Sequence, residues 1–323
     1  MKIFIEFRKE KQVSSLVAKT KELTMHNNAK RCWKQYNKSL VQRGSITFWI
    51  DKDFLKNSDV FESSKGRPKF KNALILSGWA LKIAYKLTFR ALEGFFNSLL
   101  NLIGSEISSP HYSLFCKRSK EVSSLLPKLS SRRPVEIVID ASGLKIFGEG
   151  EWKTYKHGRE KRRRWLKVHA AVDPKTGECV AVKITDEKGA DSAQLGELLS
   201  NCPRGIKRAY ADGAYDTKTC RGLLRNQGIE DIIPPRKTSI LREEKEMRNR
   251  NDALREIKGL GGDYELWKKL KGYGRRSLAE TFFSRLKMTL GDRLSCRKEE
   301  NQILESLLKI HALNRMAKAT YQR

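Results

Sequence analysis

The chain has 323 residues, with 66 Lys plus Arg against 37 Asp plus Glu and a formal net charge of +29. Such an excess points to a polyanionic partner and away from acidic or neutral ones, and on charge alone an RNA binder and a DNA enzyme fit equally well. The start lacks the apolar core of a signal peptide, Lys82 interrupts the most apolar later stretch, and six scattered cysteines make no C-x-x-C pair, which argues against secreted, membrane-spanning, zinc-bound and disulfide-framed classes and leads to the expectation of a cytoplasmic, nucleoid-associated protein.

Residues 1–30 are polar and basic and read as a disordered leader, with Met25 as an alternative start. An apolar-aromatic segment from Trp33 to Trp49 and a basic loop at Gly66 to Lys69 follow. Ala73, Leu76, Trp79, Ala80, Ile83, Ala84 and Leu87 recur at steps of three and four, the spacing of an amphipathic helix. Thr88 is an N-cap candidate for a second helix that carries Leu92, Phe95, Phe96, Leu99 and Leu102 and closes at Gly104. Pro110 opens a third segment, His111 to Ser119. Three short helices joined by tight turns in a basic region, 31–130, fit a helix-turn-helix DNA reader; the pattern fits an all-helical packing domain as well.

Ser130 to Pro134 reads as a linker into a second domain, 131–323. Val135 to Asp140 reads as a strand ending in Asp, followed by Ala141, Ser142 and Gly143. Arg162 to Asp173 and Glu178 to Thr185 form two more strands around the turn Asp173-Pro-Lys-Thr-Gly177. Asp191 to Leu199 is helical, Ile206 to Asp212 is again a strand ending in Asp, Thr217 to Gln227 is a helix, and Asp231 to Pro234 a short fifth strand. A meander followed by strand and helix alternation makes a mixed α/β sheet covered by helices. The charged insert, about 236–272, is expected to be helical from Leu241 to Ile257 and exposed, since it has few apolar positions. The last helix, Glu300 to Ala319, should pack on the sheet through Ile303, Leu307, Ile310 and Leu313.

Between the insert and that helix lies Tyr273-Gly-Arg-Arg276-Ser-Leu-Ala-Glu280-Thr-Phe-Phe-Ser-Arg-Leu-Lys287, with Arg276, Glu280 and Lys287 at helical spacing. Asp140, Asp212 and Glu280 then stand on three separate elements, and three convergent carboxylates are the donor set that holds two Mg²⁺ ions roughly 3.5–4 Å apart for phosphodiester chemistry. A passive polyanion binder has no reason to place acids in a basic groove, which decides for an enzyme. Each Asp alone could be a turn residue, Arg276 could merely pair with Glu280, and Lys287 could be solvated. Asp216 reads as an N-cap of the following helix in preference to a fourth ligand. Glu149, Glu151 and His157 read as loop residues. Lys161 and Arg162, Arg163 and Arg164 are read as DNA-backbone contacts. Of Trp152, Trp165 and Trp267, the last is the best candidate for stacking on an unpaired base, against simple packing.

These blocks together resemble the DDE transposases of bacterial insertion sequences, in particular the insertion sequence five family. Tyr273, Arg276, Glu280 and Lys287 reproduce the gaps of two, three and six residues of its tyrosine-arginine-glutamate-lysine signature. Ile139 to Gly148, Ala211 to Asp216 and Gly291 to Ser295 are similar to its other blocks, and the similarity runs from about Trp33 to the C-terminus. The resemblance implies a ribonuclease-H-like catalytic fold and a terminal-repeat binding region before it. It implies Mg²⁺, or Mn²⁺ in its place, held by Asp140, Asp212 and Glu280. It also implies phosphate contacts by Tyr273, Arg276 and Lys287, double-stranded DNA as partner at element ends and target, and a homodimer or larger assembly on DNA. Two other readings stay open: a catalytically silent transposon-derived DNA-binding protein, and a metal-dependent nuclease without strand transfer.

Overall fold

The computed structural model describes residues 32–50, 61–62, 69–70, 72–102, 104, 108–130, 133–146 and 165–321. Its centre is a five-stranded sheet of β1 (Glu136–Lys145), β2 (Trp165–Val172), β3 (Cys179–Asp186), β4 (Arg208–Tyr210) and β5 (Glu230–Ile232). The strands lie in the order β3-β2-β1-β4-β5. β1, β2 and β3 pair antiparallel, whereas β4 runs parallel to β1 and β5 parallel to β4. This mixed sheet with helices on both faces is consistent with the ribonuclease-H-like expectation.

The turn between β2 and β3 forms as its residues dictate. The Asp173 carboxylate accepts from the Lys175 amide at 2.8 Å and the Thr176 hydroxyl at 3.0 Å, and Gly177 takes the left-handed φ of 69° that a β-carbon would disfavour. β1 is buried on both faces at Ile137, Val138 and Ile139, where its apolar residues do not alternate with polar ones. Ile137 and Ile139 join Ala209 and Ala211 beneath α7 (Leu195–Ser200) and α8 (Lys218–Asn226). Val138 instead joins Tyr210 and Ile232 on the opposite face. That face is covered by α9 (Arg248–Gly259), α10 (Tyr264–Leu270), α11 (Ser277–Leu290) and α12 (Glu299–Tyr321).

The N-terminal helices are α1 (Trp33–Gln42), α2 (Ile46–Trp49), α3 (Asn72–Tyr85), α4 (Phe89–Leu102), α5 (Tyr112–Lys117) and α6 (Ser119–Ser124). Thr88 caps α4 as expected, its hydroxyl accepting from the Ala91 amide at 3.2 Å. Trp79, Leu81, Phe96 and Phe115 from this region share one hydrophobic cluster with Val168 of β2, Phe282 and Leu286 of α11, and Leu304, Ile310 and Met316 of α12. Gly78 lets Phe115 into that core, since a β-carbon at 78 would sit 2.3 Å from its ring. The last helix therefore packs on the N-terminal helices as much as on the sheet.

Lys82, which breaks the apolar pattern of α3, is buried for a reason. Its ammonium donates to the Ser295 hydroxyl at 2.5 Å and lies 4.0 Å from Glu305. Glu305 in turn accepts from the amides of Ser295 and Cys296, and Lys309 donates to the carbonyls of Gly291 and Arg293. Burial opposes ionisation of Glu305, but Lys82 and the amide donors hold its carboxyl below the usual value. This network ties the 291–296 loop, which leaves α11, to α3 and α12.

The insert departs from expectation. Its helix α9 starts at Arg248, not at Leu241, and Ala253 and Ile257 are buried against the sheet, with Arg250 and Asn251 buried beside them. A sparse apolar stripe suffices because Arg250 is matched by Asp216 at 3.4 Å and Asn251 accepts from the Arg242 amide at 3.1 Å. No helix among the described residues is long and apolar enough to cross a membrane.

His311 on α12 is held down to about 4 by burial and by Lys318. Its folded value lies below that of the unfolded chain, so the unfolded state takes up the proton first and stability falls as pH drops from about 6.5. Melting temperature should decline across the window from about 6.5 to about 4, and His311→Gln should flatten that decline. An equally steep decline in the variant would assign it to other groups.

Candidate active site

Val138 of β1 is in register with Tyr210 of β4, and the parallel pairing ends there. Asp140 and Asp212 each follow by two residues, so they stand side by side on adjacent chains and on the face of Val138 and Tyr210. Asp140 does not end its strand, contrary to expectation. β1 runs on to Lys145 because β2 still pairs with it, Asp140 opposite Ala170. What ends at Val138 is the pairing on the β4 side, and this opens the site. Asp212 does follow the end of β4, and its carboxylate caps the turn Gly213–Tyr215 through the Ala214 amide at 2.9 Å.

The third carboxylate comes from α11, which crosses the same face. Ala279 and Phe283 are buried there, which leaves Glu280 exposed at the helix start. The three acids meet at one cation. The Arg276 guanidinium lies 3.6 Å from Asp140 and 4.0 Å from Asp212 through Nη2, and Nη1 donates to Glu280. The ion pair of Arg276 with Glu280, open on sequence grounds, is thus one contact of three. Tyr273, half-buried, shares the turn Tyr273–Arg276. Lys287 reaches back to β1, its ammonium 2.8 Å from the hydroxyl of Ser142, which lies two residues beyond Asp140 on the same face.

The electrostatics follow from this crowding. Burial pushes the Asp140 carboxyl up, and Asp212 and Glu280 add to that, against the Ala141 amide and Arg276. Burial also raises the Tyr273 phenol, with Arg276 opposing and the three carboxylates assisting. Burial pulls the Arg276 guanidinium down, but Asp140, Tyr273 and Glu280 together hold it above its ordinary value.

Two contributors were not singled out from the sequence. Arg275 pairs with Glu136 at the start of β1 and donates to the Tyr210 hydroxyl at 3.4 Å, which fastens the 273–276 turn to both Asp-bearing chains. Ser142 receives Lys287. The doubled arginine and the i+2 step from Asp140 were the available signals.

Other expectations are corrected. Thr217, not Asp216, caps α8, accepting from the Cys220 amide at 3.2 Å. Asp216 is buried against Arg221 at 2.8 Å, because a carboxylate next to a buried guanidinium is worth more as its partner than as a cap. Trp267 is only 2 % exposed, packs in the core with Ile257 and Ala279, and donates to Glu256 at 2.8 Å. Its ring offers no face to a base, so the packing alternative holds. Trp165 lies against Gly143. Arg162, Arg163, Arg164, Lys161, Glu149, Glu151, Trp152 and His157 lie outside the described residues.

Among the described residues, no three His, Cys, Asp or Glu side chains are gathered closely enough to hold a metal ion as they stand. The triad is spread around Arg276 instead. Its donor chemistry nonetheless suits a hard divalent cation, with three anionic oxygen ligands from three elements turned toward one positive centre. A family model described as "Transposase DDE domain" matches residues 131–315, more than half of the chain, and a second of the same description matches residues 41–149. The second spans both the helical region and β1, in keeping with their common core.

Proposed function

We propose, for a chain that belongs to the DDE transposase family, that it is an active transposase of the insertion sequence five type that binds the terminal inverted repeats of its own element, cleaves their 3′ ends and joins them to target DNA. One observation carries the reading: Asp140, Asp212 and Glu280, from three separate elements, converge on a single cationic centre. Family membership brings transposition, mobile elements and a divalent metal, typically Mg²⁺. The finer assignments that follow are inferences.

Asp140, Asp212 and Glu280 would hold the metal, as two ions. Bound there, it would lower the pKa of an attacking water or 3′-hydroxyl and stabilise the departing oxygen. The protein's own part is placement. The register of β1 with β4 sets the two aspartates at one height, and Arg275 with Glu136 holds the turn that delivers Arg276 and Glu280. Tyr273, Arg276 and Lys287 line the same face and are assigned to phosphates beside the cut, where a guanidinium and an ammonium make charge-assisted hydrogen bonds. End recognition is assigned to region 31–130, and synapsis of two ends requires at least two copies on DNA.

The purified chain, incubated with the DNA that flanks its own gene and Mg²⁺, should nick at the element ends and yield joined products. Cleavage without joining would favour the plain nuclease, and end binding without cleavage the silent DNA-binding protein. Lys287→Ala should slow joining of a pre-cleaved end more than it weakens binding of uncut DNA. It should also lower the slope of log K against log salt by about one unit, since one phosphate contact is lost. An unchanged slope together with unchanged joining would leave Lys287 as no more than a tether to Ser142.

A further inference from the structure

The guanidinium of Arg276 sits where the three carboxylates meet, and its bonding there is incomplete. Only Glu280 is within hydrogen-bond reach, whereas Asp140 at 3.6 Å and Asp212 at 4.0 Å are held by charge alone. Its Nε is buried with no hydrogen-bond partner among the described residues. A guanidinium built in as a permanent strut would use its planar fork on at least one carboxylate in bidentate fashion. Its backbone, by contrast, is firmly placed, since Arg275 next to it is tied to Glu136 and Tyr210 and the helix α11 begins at Ser277. The side chain can leave without moving the turn.

We propose that Arg276 is a resident counter-ion of the triad, which gathers the three carboxylates when no metal is bound and which a divalent cation must displace. Without a positive charge among them, the carboxylates repel one another and spread. With Arg276 in place they stay gathered, but its charge opposes an incoming cation and its contacts with the carboxylates must be broken. Arg276 therefore lowers apparent metal affinity in the protein alone, and loading the site frees a guanidinium for a nearby anion. This rests on the reading of Asp140, Asp212 and Glu280 as the metal ligands.

The test is direct metal binding by the full chain without DNA, with Mn²⁺ as the probe and the free-ion electron paramagnetic resonance signal as the readout. Arg276→Gln should bind Mn²⁺ at least about fivefold more tightly than the unaltered chain, the lower end of common coupling strengths. Equal or weaker binding by Arg276→Gln overturns the proposal. Should that variant not fold, Arg276→Lys carries the same expectation with a smaller shift, since a single ammonium cannot span all three acids. Asp140→Asn separates the two ideas. If it binds Mn²⁺ as well as the unaltered chain does, the triad is not the metal site and the functional reading itself fails. If it loses Mn²⁺ while Arg276→Gln gains nothing, the triad stands and the counter-ion role alone is refuted.

Discussion

Asp140→Asn, Asp212→Asn and Glu280→Gln should each lower the rate of end cleavage in Mg²⁺ by at least about a hundredfold, with binding of the uncut end nearly unchanged. The amide keeps the shape and removes the anionic oxygen that a divalent ion needs, and loss of a single preorganised charge contact in a reacting site commonly costs 10²–10³ in rate. Unfolding is not the expected cause. The folded-state carboxyl of Asp140 lies above its ordinary value, chiefly through burial. A carboxylate raised in this way disfavours the folded state above its unfolded pKa, and that penalty vanishes once both states are protonated. Asp140→Asn should thus melt no lower than the unaltered chain at neutral pH, with any gain shrinking as pH falls through the raised folded value and gone below about pH 4. Near-normal cleavage by any one of the three variants would remove that residue from the triad. A large loss of melting temperature in Asp140→Asn would recast its role as structural.

Arg221→Ala should destabilise the fold by about 3–5 kcal/mol in urea unfolding, the usual cost of removing one partner of a buried charge pair. Arg221 is fully buried. Its Nε donates to Asp216 at 2.8 Å, its Nη1 to Asp231, and its Nη2 to the Ile233 carbonyl at 3.0 Å. Asp216 also accepts from the Arg236 amide at 3.1 Å, and Asn249 donates to Asp231. One side chain thus joins α8, β5, the 236–247 loop and α9, and it steadies the chain just after Asp212. Burial already pushes the Asp231 carboxyl up, with Arg221 as its main opposition. In Arg221→Ala that opposition is gone, so Asp231 should take a proton at a higher pH still. The destabilisation should therefore be greatest at high pH and ease as pH falls through the raised value. A loss within about 0.5 kcal/mol, the range of an ordinary surface change, would show that the pair contributes nothing net.

Local chemistry was legible in the sequence wherever the interaction spans only a few residues. Thr88 as a helix cap and the Asp173 to Gly177 turn depend on neighbours within one turn of chain and appear where expected, as does the order of strands and helices from β1 to β5, though not the end of β1 or the start of α9. The three acids and the basic residues around Glu280 could be picked out by type and spacing, because α11 repeats every 3.6 residues and β1 every two. What one chain segment contributes to another could not. Ile257, in an insert read as exposed, and Trp267, read as a stacking candidate against simple packing, are instead buried with Val138, Tyr210 and Ala279 over the sheet. Asp216 looked like a cap because capping is local; Arg221 claimed it because burial makes an unpaired guanidinium far more costly than a second-best cap.

Likewise, the expected seam near residue 130 is crossed by a hydrophobic cluster from Trp79 to Met316, which arises only when α12 folds back between the sheet and the N-terminal helices. The sequence by itself determined which residues could carry charge, cap a helix or turn the chain. Tertiary structure alone decided which charges lost their water and had to be paired. It also decided, through the register of Val138 with Tyr210, that Asp140 and Asp212 stand at one height with Arg276 between them and Glu280.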